Sequence, residues 1–402
     1  VRPTSGGDST ALRRINTVTT LRTLRIGNPP TLTELAKQSG LSRPAVESAV
    51  DDLTEAGWVA EAAPPAGERP VGRPARRFRF RAESGYVLGI DIGAYKVLAC
   101  LTDLDGRQIA TYRVEADQSD DRRTRLAAVR DAARRCLAEA GVDENQLWAV
   151  GLAFPGIVAR DGRVLFSSLA DWAGHNVAAE LAADFPCPVL AENDCNVAAL
   201  AERWRGAAQG SDDVVYVLSG LRTGAGLVLG GRLHRGHIGG AGETGALPHL
   251  GWARTQDHLQ KFPGLADEVP AQSRAEQVFS LARSGERTAL DAVDAYTADL
   301  AVGVAAIVLT IDPEVVVLGG GLWRASDLLL EPLRRHLEPL CLIMPRLEVS
   351  ALGDQSVALG AVRVALTHLE ERLYDPDTML LQPPVGPHDP IAGRAGVTGV
   401  VS

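Results

Sequence analysis

Residues 87–106, VLGIDIGAYKVLACLTDLDG, reach a carboxylate at Asp91, turn at Gly93 and return past Lys96 before turning again at Asp105-Gly106. Two strands joined by a glycine turn can close backbone N–H groups on phosphate oxygens, which needs glycine where φ is positive or space is short. Here the middle of the turn reads Ala94-Tyr95, where such a cradle wants small, bare backbone. A second stretch, VVYVLSGLRTGAGLVLGGRL, echoes the pattern and places Arg222 ahead of Thr223-Gly224-Ala225-Gly226. Between the two lies Glu192-Asn193-Asp194, followed by the helical stretch CNVAALAERW. Asn193 or Asp194 suits a helix N-cap, and capping alone would select these residue types. A carboxylate at this place can also take a proton from a hydroxyl, or simply accept its hydrogen bond. Glu243, in Gly242-Glu243-Thr244-Gly245, is a further acid that needs a partner if buried.

Two hairpins of this kind predict two lobes facing one another across a cleft, where ligands usually sit. From Tyr86 the pattern is α/β. Strands are expected near 86–92, 97–103, 108–116, 147–153, 189–191, 213–219, 225–230, 315–318 and 347–351, and helices near 122–140, 176–184, 195–205, 271–284, 287–311 and 357–370. The Pro- and Gly-rich tail from about Tyr374 reads as an extended appendage.

The front of the chain has a different character. Residues 1–81 hold 13 Lys/Arg against 8 Asp/Glu, whereas the remainder holds 28 against 42, so a basic module precedes an acidic body within a net charge of −9. That split suggests that one part meets a polyanion. Leu12, Ile15, Val18, Leu21 and Leu24 predict an amphipathic helix over 11–26, stopped by Asn28-Pro29-Pro30. A helix from about Thr33, a turn at Gly40 and a second helix from Ser42, with Ser42 as N-cap, form a helix-turn-helix pattern. Residues 69–81, RPVGRPARRFRFR, then pack six arginines and no acid into 13 positions, with Pro64-Pro65-Ala66-Gly67 as the turn before them. This reads as a basic wing whose charge suits phosphates and whose Gly72-Arg73-Pro74 can reach a minor groove. Double-stranded DNA is the expected partner. Ser42, Arg43 and Glu47 on the second helix and Arg73, Arg76 and Arg77 on the wing are the expected contacts.

Composition is that of a globular protein, 46% hydrophobic and 23% charged, and long enough for two or three domains. The longest apolar stretch, 300–311, is too short to span a bilayer and reads as a buried helix. The first residues lack the apolar run of a signal peptide. Five scattered cysteines without a CxxC fit reduced thiols, so a cytoplasmic protein without membrane contact is expected.

Six ordered signals behind a winged helix make the chain resemble the ROK family (repressor, open reading frame, kinase) in its regulator branch, over about residues 11–370. They are Asp91-Ile92-Gly93, Phe154-Pro155-Gly156, Glu192-Asn193-Asp194-Cys195-Asn196, Thr223-Gly224-Ala225-Gly226 with Gly230-Gly231, Gly242-Glu243-Thr244-Gly245 and Leu318-Gly319-Gly320-Gly321. The resemblance is to sugar-responsive repressors of the xylose and N-acetylglucosamine type. It implies a winged helix-turn-helix (10–82), then a two-lobed α/β actin-like domain of the ribonuclease H and hexokinase kind (83–370, the lobes dividing near 200), then a tail (371–402). The family's kinases bind ATP and a sugar in the cleft, and its regulators use a related cleft to sense sugars. By that resemblance Asp194 corresponds to the catalytic base, here vestigial. Asn193, Asp194, Glu243 and Trp172 are expected to contact a sugar-like effector.

The same comparison shows departures. The family's first loop carries Gly-Gly-Thr before the lysine and its second begins with glycine, whereas this chain has Gly93-Ala94-Tyr95 and Arg222 ahead of Gly224. A Cβ in a left-handed position costs about 1–2 kcal/mol, and the bulk of Tyr95 and Arg222 is expected to fill phosphate space. The family follows Gly-Glu-x-Gly with a histidine and a cysteine-rich zinc loop, but Ala246 stands here and no cysteine lies between Cys195 and Cys341. His249 and His258 do not complete a tetrahedral zinc site, and by the resemblance Asp267 stands near the family's second sugar-binding acid. No metal and no cofactor are expected. The resulting expectation is a homodimeric or tetrameric DNA-binding repressor without kinase activity; an ATP-dependent sugar kinase and a scaffold answering to a protein partner are the alternatives.

Overall fold

The computed structural model describes residues 7–63, 75–219, 223–266, 268–321 and 323–376. The basic front end is three helices and a hairpin: α1 (Gly7–Leu24), α2 (Leu32–Ser39), α3 (Arg43–Glu55), β1 (Val59–Ala62) and β2 (Arg77–Phe80). Val18, Leu21 and Leu24 of α1 are buried as their spacing predicts, but Leu12 and Ile15, nearer the start of the helix, stay 58% and 48% exposed. Ser42 has the extended backbone of an N-cap yet its hydroxyl caps nothing. The working cap is one helix earlier, where Thr31 and Glu34 bond each other's backbone reciprocally at the start of α2.

The body is one topology used twice. Its first half runs β3 (Tyr86–Ile92), β4 (Lys96–Asp103), β5 (Gln108–Glu115), α4 (Arg122–Ala140), β6 (Leu147–Phe154), the small hairpin β7 (Gly156–Val158) and β8 (Val164–Ser167), α5 (Val177–Leu181), β9 (Val189–Asn193) and α6 (Asp194–Arg205). Its second half runs β10 (Val214–Ser219), β11 (Thr223–Leu229), β12 (Arg232–Leu233), α7 (Trp252–Gln260), α8 (Ala271–Arg283), α9 (Arg287–Ile311), β13 (Val315–Gly319), α10 (Ser326–Leu337), β14 (Arg346–Val349) and α11 (Ser356–Leu373). The sheets order as β5-β4-β3-β6-β9 and β12-β11-β10-β13-β14, each an antiparallel meander continued by two parallel strands. The sequence pattern missed β7, β8 and β12, and α7 and α10.

Alternation along the strands decides what each face meets. Val215 and Val217 turn toward α7–α10, whereas Val214 and Tyr216 turn toward α6 and α11. In the first sheet Leu88, Ile90 and Ile92 face α4. The helices α6 and α11 lie between the two sheets and pack on one another, backbone to backbone. A Cβ on Gly360 of α11 would sit 1.9 Å from the Val197 carbonyl oxygen of α6, and one on Gly151 of β6 would sit 2.0 Å from that of Ala361. Helix α9, the 25-residue apolar helix, is long and apolar enough to cross a membrane by composition, but it is the central helix of the second lobe, with Leu300, Ala301 and Val304 fully buried.

The front module is fused to this body. Leu21, Leu35, Val50, Trp58 and Phe80 belong to the same apolar core as Val87, Trp148, Leu366 and Leu369. Trp58 stacks on Phe80 with centroids 6.0 Å apart and meets Trp148 at 5.4 Å. The segment that joins module and body is a packed turn with Ala82 and Ser84 buried and Gly85 against the Trp148 ring. Tyr374, expected to open a loose tail, is held by the module: its hydroxyl accepts from Arg25 at 2.6 Å and its ring lies 4.7 Å below the Arg22 guanidinium.

Candidate functional site

The carboxyl ends of β3, β6 and β9 converge where open α/β sheets usually receive ligands. At the end of β9, Asn193 caps α6 by accepting from the Asn196 N–H at 2.9 Å, and its amide donates to the Gly156 carbonyl at 2.9 Å and to Asp194 at 3.1 Å. Asp194, the first residue of α6, also accepts from the Cys195 N–H at 2.8 Å. Burial, with the negative charges of Asp91 and Glu243 nearby, pushes its carboxyl up to about 7. Burial raises Glu243 as well. The structure thus brings Asp91, Asp194 and Glu243 into one field, with the amide of Asn193 beside them. Such a set can donate and accept hydrogen bonds to several hydroxyls at once.

A residue unassigned from sequence stiffens this edge. Glu192, 4% exposed, accepts from the Asn193 N–H at 3.0 Å and the Asn196 amide at 2.9 Å, and pairs with Arg235 from the segment after β12. That segment lies on the first lobe, since a Cβ on Gly239 would stand 2.3 Å from the Val158 carbonyl oxygen. Arg235 therefore bridges the lobes beside the Asn193-Asp194 pair.

The phosphate side departs from expectation. Neither Ala94 nor Tyr95 has positive φ, and Gly93 and Gly224 do not either, so the side chains in the first turn carry no left-handed strain. The glycines of the second hairpin answer to packing: a Cβ on Gly224 would stand 2.7 Å from the Cys195 sulfur, and one on Gly226 2.1 Å from the Cys195 carbonyl oxygen. Tyr95 is fixed by its hydroxyl to Gln118 at 3.0 Å, on the segment after β5. Arg222 lies outside the described residues. The first turn is held from behind by Arg125, fully buried, which donates to the carbonyls of Gly93, Ala94 and Asp117. Lys96 lies 3.2 Å from Asp91 and donates to the Asp354 carbonyl at 3.0 Å, just before α11.

Trp172, expected to contact the effector, lies in the interior of the first lobe. It is 1% exposed and packs on Phe154 at 4.7 Å in the core of the first lobe. A tryptophan in LADWAGHNV carries no mark separating a ligand platform from a core ring. The residues present do not fit the zinc ion that the resemblance implies. His258 bonds Asp299 at 2.9 Å, His249 is exposed, and no group of three or more His, Cys, Asp or Glu among the described residues is placed to hold a metal. Asp267 lies outside the described residues.

In the front module, Ser42, Arg43 and Glu47 are exposed at the start of α3. Arg76, 60% exposed, pairs with Glu61 at 2.8 Å and covers Phe78. Arg77, 24% exposed, donates to the Pro29 carbonyl at 2.9 Å and to Glu34 at 3.1 Å, tying β2 to the cap of α2. Arg73 lies outside the described residues.

Known proteins share both parts. An IclR helix-turn-helix domain matches residues 16–62, and the ROK family pattern matches residues 87–368. The chain is 24% identical over 398 residues to the xylose repressor of Caldicellulosiruptor bescii, covering 90% of this chain and 98% of that protein. A glucokinase of Halalkalibacterium halodurans is 26% identical but covers 68% of this chain. Among solved structures, a ROK transcriptional regulator homologous to E. coli MLC superposes over 91% of this chain with TM-score 0.66 at 20% identity, a likeness of fold. A ROK hexokinase from Thermus thermophilus is 31% identical with TM-score 0.55, covering 71% of this chain and 99% of that one. With residues 87–368 matched by the family pattern, this chain belongs to the ROK family.

Proposed function

We propose that the chain is a DNA-binding repressor of the ROK family that responds to a sugar and does not phosphorylate it. The observation that carries this reading is the fusion of the two parts. A helix-turn-helix module shares one apolar core with the lobe that carries Asn193 and Asp194, and the negative charge of Glu243 lies close to Asp194. The likeness to xylose repressors extends over 90% of this chain, whereas that to the glucokinase and the hexokinase covers 68% and 71%. Two modules on a two-fold dimer would meet a palindromic operator. The sugar would enter at Asn193, Asp194 and Glu243, and would change DNA affinity by favouring one arrangement of the modules.

Kinase activity is the second reading, favoured by a carboxyl near pH 7 at Asp194, which suits a general base. Against it stands the sequence, with Ala94-Tyr95 and Arg222 where the family's phosphate loops carry glycine and Ala246 in place of the zinc-motif histidine. The test uses the full chain. DNA bound from a random pool is selected, and its affinity is measured with D-xylose, D-glucose and N-acetylglucosamine. ATP consumption with the same sugars is followed in a coupled assay. The expected result is selected DNA, a sugar-dependent change in affinity and no turnover. Turnover abolished by Asp194→Asn would overturn the non-enzymatic reading, and no enrichment of DNA would overturn the repressor reading.

A further inference from the structure

The site and the DNA module are joined by a physical path outside the cleft. Helix α6 starts at Asp194 and ends at Arg205, about 18 Å away at 1.5 Å per residue. At that far end Arg205 donates to the Gly106 carbonyl at 2.5 Å and the Asp105 carbonyl at 2.6 Å, in the turn between β4 and β5. The turn lies flush on the helix, since a Cβ on Gly106 would stand 2.3 Å from the Trp204 ring. On its other side the same turn holds the DNA module. Arg25, just past α1, donates to the Leu104 carbonyl at 2.8 Å and to the Asp105 carboxylate at 3.1 Å. Its guanidinium also bonds the Tyr374 hydroxyl, lies 3.3 Å from Glu370, both at the end of α11, and covers Phe80 at 5.0 Å.

We propose that the turn 104–106, clasped between Arg205 of α6 and Arg25 of the DNA module, transmits the state of the cleft to the DNA-binding surface. Sugar contact at the start of α6 biases the position of that helix. A hydrogen-bonded helix moves as a unit, so its far end carries the turn with it. The turn holds Arg25 by a carbonyl and a carboxylate, so the module cannot keep its place when the turn shifts. Arg205 is a positioning residue and touches neither sugar nor DNA.

The inference rests on the sugar-responsive reading, and the experiment separates the two. Full-length wild type, Arg205→Ala and Arg203→Ala are compared for D-xylose, D-glucose and N-acetylglucosamine binding by calorimetry, and for affinity toward the selected DNA with and without each sugar. Arg203 is the control: it lies on the same helix but bonds the Ser211 carbonyl at 3.0 Å and Asp212 at 2.6 Å, not the 104–106 turn. The wild type and Arg203→Ala are expected to show a sugar-dependent change of about 5–150-fold in DNA affinity, and Arg205→Ala a change below about 3-fold with both separate affinities kept. A full response in Arg205→Ala overturns the path. No response in the wild type overturns the sugar-responsive reading itself. Should Arg205→Ala melt early, Asp105→Asn reaches the same clasp from the module's side, and a full response there likewise overturns the path.

Discussion

Asp194 shows how position sets the chemistry of one residue. The same side chain on a solvated helix start would be an ordinary anion. Here burial and two neighbouring acids push it up to about 7. From about pH 4 to 7 the folded chain therefore holds a proton that the unfolded chain has released, so stability falls across that window and the penalty stays in full above it. Asp194→Asn removes the penalty. The variant should gain roughly 1–3 kcal/mol at pH 8 and nothing near pH 4, checked by denaturant unfolding at pH 4, 6 and 8. It should also bind the sugar about 10-fold or more weakly, because an amide replaces a charged acceptor. A stability gain independent of pH would show that Asp194 is ionised at no cost. The cap of α6 at Asn193 was legible in the sequence because caps are local signals. Arg125, Arg235 and Arg25 were not, since an arginine becomes a clamp only through carbonyls and carboxylates brought to it by the fold. Arg25 finds Leu104 and Tyr374, 79 and 349 positions away.

At the scale of elements, the two helices between the sheets decide how closely the lobes can meet. Gly360 allows α11 to touch the backbone of α6, and Gly226 lets β11 reach the first turn of α6. Gly360→Ala would place a methyl carbon against the Val197 carbonyl, with backbone on both sides and no flexible side chain to yield. It should cost about 3 kcal/mol or more, read as a lowered denaturation midpoint, with sugar affinity falling as α6 is displaced. An unchanged midpoint would show that the helices are looser than their geometry. The strands and main helices were legible because alternation and 3.6-residue spacing survive in a duplicated α/β fold. Helices α7 and α10 were missed: α7 is short and polar, and α10 carries Pro332 inside it. The glycines of the second hairpin were legible as glycines but not as packing residues, because only the fold shows Cys195 beneath them.

For the whole molecule, the core shared by Leu21, Trp58, Phe80, Trp148 and Leu366 makes the DNA module part of the first lobe's interior. Trp58 and Trp148 lie at this joint and four further tryptophans lie elsewhere in the body. Tryptophan fluorescence and the helical signal in circular dichroism should report one shared unfolding midpoint. Two separate transitions would mean that module and body do not unfold as a unit. DNA affinity should fall steeply with salt, since basic side chains displace counterions from phosphates. The charge split along the chain already pointed to a polyanion. The joint itself escaped the sequence, because a stretch such as RAESGY looks like a linker until Trp148 is seen lying on it.

That joint bears on engineering. A reading head transplanted from another regulator onto this body would leave the indole of Trp148 uncovered and Tyr374 without its cation. Retargeting this protein to new DNA therefore calls for editing the outward face of α3 in place, residue by residue, instead of exchanging the head as a cassette.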